Sequence, residues 1–406
     1  MGTMVRPGST DKPLSRRGLL AAAAAAVAGL AGCSARAPEP TATPAAPGTV
    51  AVPSSTAAST ATVVVVTDRT PSSVPPTPSP TAAVTVTPKS APPLPTMPPR
   101  DTSTPTPVIP ASEQIALGAY LPGAQWDANA INEFAALTGA APAIVMWYQD
   151  WAHTEFQGFD PAKLDAVVTR GATPMITWEP DDYSGSANQP SFALRRILAG
   201  AYDDWIRAFA QASAAWGKPY FLRFAHEMNG NWYSWSPGVN GNTSAQYVAV
   251  WRRVVQIFRA EGATRVRWVW SPSGVYPGST PFADLYPGDA YVDWIGINVF
   301  NFGTSASWSE WGSFADILGP SYLPLTRLTD RPLMIAEAAS TEHGGDKAAW
   351  IRKGFLADLP ETFPRVRAAV WFNENREADW QVNSSPAALA AYSEVARAPR
   401  FRGRVA

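Results

Sequence analysis

The chain has 406 residues and a formal net charge of −1, with charged residues making up only 16 %. An evenly mixed, near-neutral surface excludes the basic footprint that nucleic-acid binding needs. One cysteine, Cys33, excludes any internal disulfide, and three widely spaced histidines (His153, His226, His343) give no metal-ligand spacing.

The N-terminus reads as an address. Ser15-Arg16-Arg17-Gly18-Leu19-Leu20 opens an Ala-rich apolar run to Leu30, the pattern of a secretory signal, here of twin-arginine type. Leu30-Ala31-Gly32-Cys33 has the form of a lipobox, so residues 1–33 are expected to be a signal peptide whose cleavage leaves a lipid-modified Cys33. Export by that signal and lipid anchoring on the outer face of the cell envelope follow from it.

Residues 34–112 are expected to be a disordered linker. They hold about half of the 40 prolines, and no Phe, Trp or Tyr occurs before Tyr120. Such a segment cannot bury enough apolar area to offset the entropy of ordering it. Val63-Val64-Val65-Val66 is its one strand-like patch.

From Glu113 to the end, short apolar runs alternate with longer helical patterns, the rhythm of a parallel α/β fold. Strands are expected at Ile115–Leu121, Ala143–Trp147, Pro174–Trp178, Tyr220–Phe224, Val266–Trp270, Val292–Val299, Leu333–Ala336 and Val366–Phe372. Helices are expected at Ala193–Trp216, Ser244–Glu261 and Asp346–Asp358. Eight such repeats, with no Gly-rich dinucleotide turn after the first strand, predict an α/β fold made of a single (β/α)8 TIM barrel over residues 113–406.

Chemistry in such a barrel sits at the carboxyl ends of the strands. Those ends carry Tyr148-Gln149-Asp150, Trp178-Glu179, His226-Glu227, Trp270-Ser271, Asn298 with Phe300, Glu337 and Trp371-Phe372-Asn373. Acids, amides and indoles on one rim suit a carbohydrate cleft: carboxylates act on a glycosidic bond and aromatic faces pack on sugar faces. An isolated Glu at a strand end is more often a salt-bridged rim residue. Glu227 and Glu337, however, each follow a buried-looking run at the site-bearing end, on the fourth and seventh strands. Arg223 shares a strand side with Glu227, where a guanidinium can keep a nearby carboxylate ionised. Glu179 is the rival acid, ranked as substrate-binding or structural.

The segment Phe221-Leu222-Arg223-Phe224-Ala225-His226-Glu227-Met228-Asn229-Gly230-Asn231-Trp232-Tyr233 resembles the acid/base region of glycoside hydrolase family 26, the β-mannanase family. Met334-Ile335-Ala336-Glu337 resembles its nucleophile strand, and further similar stretches span nearly all of the expected domain. The resemblance implies a retaining double displacement on a β-linked polysaccharide, with Glu227 as acid/base, Glu337 as nucleophile and no metal or other cofactor. It also implies that His226 organises the acid/base, that Trp232 lines the cleft and that Trp371 forms a platform under the reacting sugar. Trp178, Tyr233 and Phe300 are further expected substrate contacts.

Two positions depart from the family pattern. Phe300 stands near where a tyrosine usually contacts the nucleophile, and Ser273 follows Trp-Ser-Pro where Asn is common. The expected substrate is β-1,4-mannan, with β-1,3-xylan and mixed-linkage β-glucan as alternatives. A non-catalytic glycan-binding lipoprotein is the alternative outside enzymes. The expected partners are the polysaccharide and, through the lipid, the membrane, with the protein a monomer.

Overall fold

The computed structural model describes residues 114–153 and 158–405. The expected signal peptide, lipobox Cys33 and linker lie outside the described residues. Among those described, no helix is long and apolar enough to cross a membrane.

Eight parallel strands close into one barrel, each paired with the next and β8 with β1. They are β1 Ala116–Tyr120, β2 Ile144–Asp150, β3 Thr173–Glu179, β4 Tyr220–Phe224, β5 Val266–Trp270, β6 Trp294–Asn301, β7 Leu333–Ser340 and β8 Val366–Phe372. All eight fall where the apolar runs predict them. The main shifts are at the carboxyl ends of β2 and β7, where polar residues stay in the ladder.

The helices that fill the outer layer include α1 Asn129–Thr138, α2 Pro161–Val168, α3 Leu194–Leu198, α4 Asp203–Trp216 and α5 Ser244–Ala260. The expected Ala193–Trp216 helix is thus two helices, because Gly200 adopts φ 86° and turns the chain between them. Thr243 starts α5 with a capping box, its side chain accepting from the Gln246 N–H while Gln246 reaches back. The third expected helix, Asp346–Asp358, begins as α-helix over Lys347–Arg352 and widens to a π-helical stretch over Lys353–Asp358.

Strand alternation divides the buried side chains into two sets. Ile144, Met146, Met175, Phe221, Val269, Met334, Val370 and Phe372 fill the barrel interior. Val145, Trp147, Trp178, Leu222, Phe224, Ile297, Ile335 and Trp371 face outward under the helices. One strand breaks the alternation. Ile297 pairs with Ile335 but Asn298 with Glu337, so β7 carries an extra residue at Ala336. Strict alternation from inward Met334 would turn Glu337 out among the helices. The bulge re-aims it inward, and the strand resumes with Ala338 outside and Ala339 inside.

Candidate active site

At the carboxyl end of the barrel, Arg223 on β4 rises from the interior with no exposure at all. Its Nη1 donates to Glu337 Oε1 at 2.6 Å and its Nη2 to Asn298 Oδ1 at 3.0 Å. Burial pulls the guanidinium pKa down, but the nearby Glu337, Tyr148 and Glu227 outweigh it and hold the arginine firmly charged. Glu337 is itself fully buried, so the pair is a desolvated ion pair in which neither partner can lose its charge cheaply.

Asn298 turns its amide the other way. Nδ2 donates to Glu227 Oε1 at 2.6 Å and lies 3.4 Å from Glu337 Oε1. One nitrogen therefore reaches both carboxylates, so the gap between those oxygens cannot exceed the sum of the two lengths. That is shorter than the about 6.5–9.5 Å that inverting glycosidases leave for a water, and it fits the about 5–5.5 Å of retaining ones.

Glu227 is held by a different device. It lies three residues past the end of β4, where Ala225 and Glu227 take φ 43° and 51°. Left-handed backbone at two non-glycine residues is costly, and such strain concentrates where geometry matters. The segment is pinned on both sides: Ala225 N donates to Trp178 O and Glu227 N to Ser271 O. Trp232 then donates its indole N–H to Glu227 Oε2 at 3.0 Å. Asn229, also buried, exchanges two hydrogen bonds with the Ser273 backbone and ties this segment to the loop after β5. Ser273 thus contributes its backbone there, and the pair of bonds is open to any residue but proline at that position.

Of the expected site residues, Glu227, Glu337, His226, Trp232, Tyr233, Glu179 and Phe300 come together at the mouth. His226 is fully buried, with Nε2 3.0 Å from the Tyr233 hydroxyl and Nδ1 3.7 Å from Glu179 Oε1. Tyr233 stacks on Trp235 at 4.3 Å, and the Trp235 indole donates to the His226 carbonyl. Glu179 is therefore a neighbour of His226, inside the wall that carries Glu227. Phe300 meets Phe372, Phe302 and Trp380. Where the usual tyrosine would give Glu337 a hydrogen bond, Arg223 and Asn298 already supply donors.

Two expected residues are not in the mouth. Trp178 faces outward and packs on Trp151, Trp205 and Phe209. Trp371 also faces outward, between Trp350, Phe355 and Tyr392, with no exposure. The inward side of β8 carries its neighbour Phe372, which stacks on Tyr120 at 4.6 Å and meets Tyr148 edge-on. Strand parity with inward Val370 was the available signal. The same parity argument finds Asn298, two residues before Phe300 on the inward side of β6. Trp380, beyond β8, lacked any such signal.

Asp150, His153 and Asp182 offer ligand atoms within 4.8 Å of one another. Their atoms are already engaged: His153 Nδ1 lies 2.6 Å from Asp150 Oδ2, Asp150 accepts backbone N–H bonds from His153 and Tyr183, and Asp182 accepts from Ser184. Beside them Asp181 is buried, and desolvation with the neighbouring Asp150 and Asp182 pushes its carboxyl well above the usual range. This cluster fixes the loops after β2 and β3.

The model of glycosyl hydrolase family 26 matches residues 181–355. Endoglucanase H of Acetivibrio thermocellus is 41 % identical over 284 residues, covering 69 % of this chain but 30 % of that protein. A mannan endo-1,4-beta-mannosidase of Bifidobacterium adolescentis is 32 % identical over 90 residues, 22 % of this chain and 9 % of that protein. The chain thus spans less than a third of the length of either relative. Among solved structures, the catalytic domain of the family 26 endo-beta-1,4-mannanase of Bacillus sp. JAMB-750 superposes with a TM-score of 0.55 at 17 % identity, covering 72 % of this chain and 87 % of that one, a likeness of fold. With its matched segment carrying both carboxylates on this barrel, the chain belongs to glycosyl hydrolase family 26.

Proposed function

We propose that the protein is a retaining, endo-acting glycoside hydrolase of a β-linked polysaccharide. The observation that carries this reading is the single Asn298 amide within reach of both Glu227 and Glu337, with Arg223 beneath. In the first step the Glu337 carboxylate attacks the anomeric carbon while the Glu227 carboxylic acid gives its proton to the departing glycosidic oxygen. In the second, ionised Glu227 takes a proton from water, the water oxygen bonds to the anomeric carbon, and Glu337 leaves as a carboxylate.

β-1,4-Mannan is the first substrate, on the motif resemblance and the relatives named as mannosidases. A second reading, β-glucan, is favoured by one observation: the relative matched over most of this domain is named an endoglucanase. That protein extends far beyond the match, so its name covers more than the part shared with this chain. The test is reducing-sugar release from mannan, glucomannan, mixed-linkage glucan, cellulose and β-1,3-xylan. Glu337→Ala should abolish it. Glu227→Ala should abolish it too, yet retain release of an activated aryl leaving group that needs no protonation. Full activity of Glu227→Ala on unactivated polymer would sink the assignment. Lipid anchoring through Cys33 belongs to the same proposal and is tested by radiolabelled fatty-acid incorporation, which Cys33→Ala should remove.

A further inference from the structure

Among the described residues, six large hydrophobic side chains are exposed, and three of them are aromatic: Trp126, Tyr183 and Trp308. All three stand on loops that follow strands, after β1, β3 and β6, which is the catalytic end of the barrel. Two are already engaged. Lys163 lies over the Trp126 ring at 3.5 Å, and Tyr183 packs on His153 at 4.3 Å. Trp308 is 45 % exposed and has a single described ring contact, Phe302 at 4.9 Å.

That contact ends a continuous series of rings. Tyr148 meets Phe372, Phe372 meets Phe300, and Phe300 and Phe302 both meet Trp380. The series starts at Tyr148 on β2, a near neighbour of Arg223, and runs along the side of the mouth formed by β8 and β6. This side flanks Glu337. Trp232 and Tyr276, on the loops after β4 and β5, lie on the Glu227 side. An exposed indole at the outer end of this series is placed to stack on a pyranose beyond the reacting one.

We propose that Trp308 is a sugar-stacking platform for a unit of the polysaccharide beyond those that flank the scissile bond, so that the enzyme recognises a chain several sugars long. This inference rests on the glycoside-hydrolase reading. Its test uses length. Mannohexaose and a mixed-linkage gluco-hexasaccharide are compared with the matching aryl β-biosides, whose two sugars leave a distal platform without a partner, on wild type and Trp308→Ala. The expected result is a KM for the accepted hexasaccharide raised about 5–10-fold, kcat within twofold, and the aryl bioside unchanged. Equal losses on both substrates, or no loss on either, would overturn the platform.

A second measurement keeps the two readings separable. Binding of the same hexasaccharides to Glu337→Ala, followed by tryptophan fluorescence, should weaken by a similar factor in Glu337→Ala/Trp308→Ala. A wild type that binds but never cleaves would end the hydrolase reading while leaving the platform to this titration. Binding that is absent, or indifferent to Trp308, would end the platform.

Discussion

The two carboxylates of the site are held by opposite means. Glu337 sits within a strand, re-aimed by a bulge, fully buried and bonded to a buried guanidinium. Glu227 sits beyond the end of its strand on left-handed backbone, and its two oxygens accept from neutral donors, the Trp232 indole and the Asn298 amide. A nucleophile must keep one charge state and one position until it attacks, which a desolvated ion pair inside a ladder provides. An acid/base must give and take a proton in one cycle, and among the described residues no cation is bonded to Glu227. The difference in scaffolding fits the difference between the two proposed roles.

The strongest way to break this comparison is to remove the cation. Arg223→Met leaves Glu337 buried without its partner, and removing one member of such a pair costs about 3–5 kcal/mol. Thermal unfolding should shift down accordingly, and kcat/KM on polymer should fall at least about a hundredfold. A loss below tenfold would mean the guanidinium is only structural.

Next is the bridge. Asn298→Ala removes the donor to Glu227 and the acceptor of Arg223 together. Hydrogen bonds to charged groups contribute about 1.5–3 kcal/mol, so kcat should fall about 10–100-fold with KM little changed. Steady-state kinetics on the preferred polymer reads this directly. An effect confined to KM would move Asn298 from positioning the carboxylates to holding substrate.

A smaller effect sharpens the Glu227 side. Trp232→Phe keeps a ring but deletes the N–H, a loss of about 1 kcal/mol or roughly fivefold in kcat/KM on polymer. Aryl glycosides with good leaving groups should lose less in their first step, since departure there needs little protonation. Equal losses on both substrate types would show that the indole matters as cleft wall rather than as donor.

How much of this was legible in the sequence divides along the same line. Apolar runs and their spacing located every strand, because a barrel strand buried on both faces needs them. His226-Glu227 and Glu337 were legible as acids at strand ends. Trp178 and Trp371 show what a resemblance or a strand-end position leaves open: a tryptophan there faces the mouth or the helices depending on one residue of register. The bulge that turns Glu337 inward leaves no mark in Met334-Ile335-Ala336-Glu337, since alternation alone sends that side chain the wrong way. Parity places Asn298 inward on β6, but its reach to both carboxylates shows only once β6 lies beside β7.

The mildest prediction for activity concerns a second buried cation, which serves stability alone. Lys347 donates to the carbonyls of Asp379 and Gln381 and to Ser384 Oγ, fixing the segment after β8 that carries Trp380. Burial lowers its pKa from 10.5 to about 8, with Glu342 and Asp379 opposing the shift. Lys347→Met leaves those acceptors unpaired and should cost about 1–3 kcal/mol per unsatisfied group, less whatever water recovers, with kcat within a few-fold of wild type. The pH dependence carries a sign. Below pH 8 both folded and unfolded chains hold the Lys347 proton, and the cost of burying that charge is present in full. Between about 8 and 10.5 the unfolded chain holds more of it than the folded one, so wild-type stability gains on the variant as pH rises. Denaturant unfolding of both proteins at pH 7 and pH 9.5 should show that difference widening. A constant or shrinking difference would mean that Lys347 is not held in the folded protein at a lowered pKa.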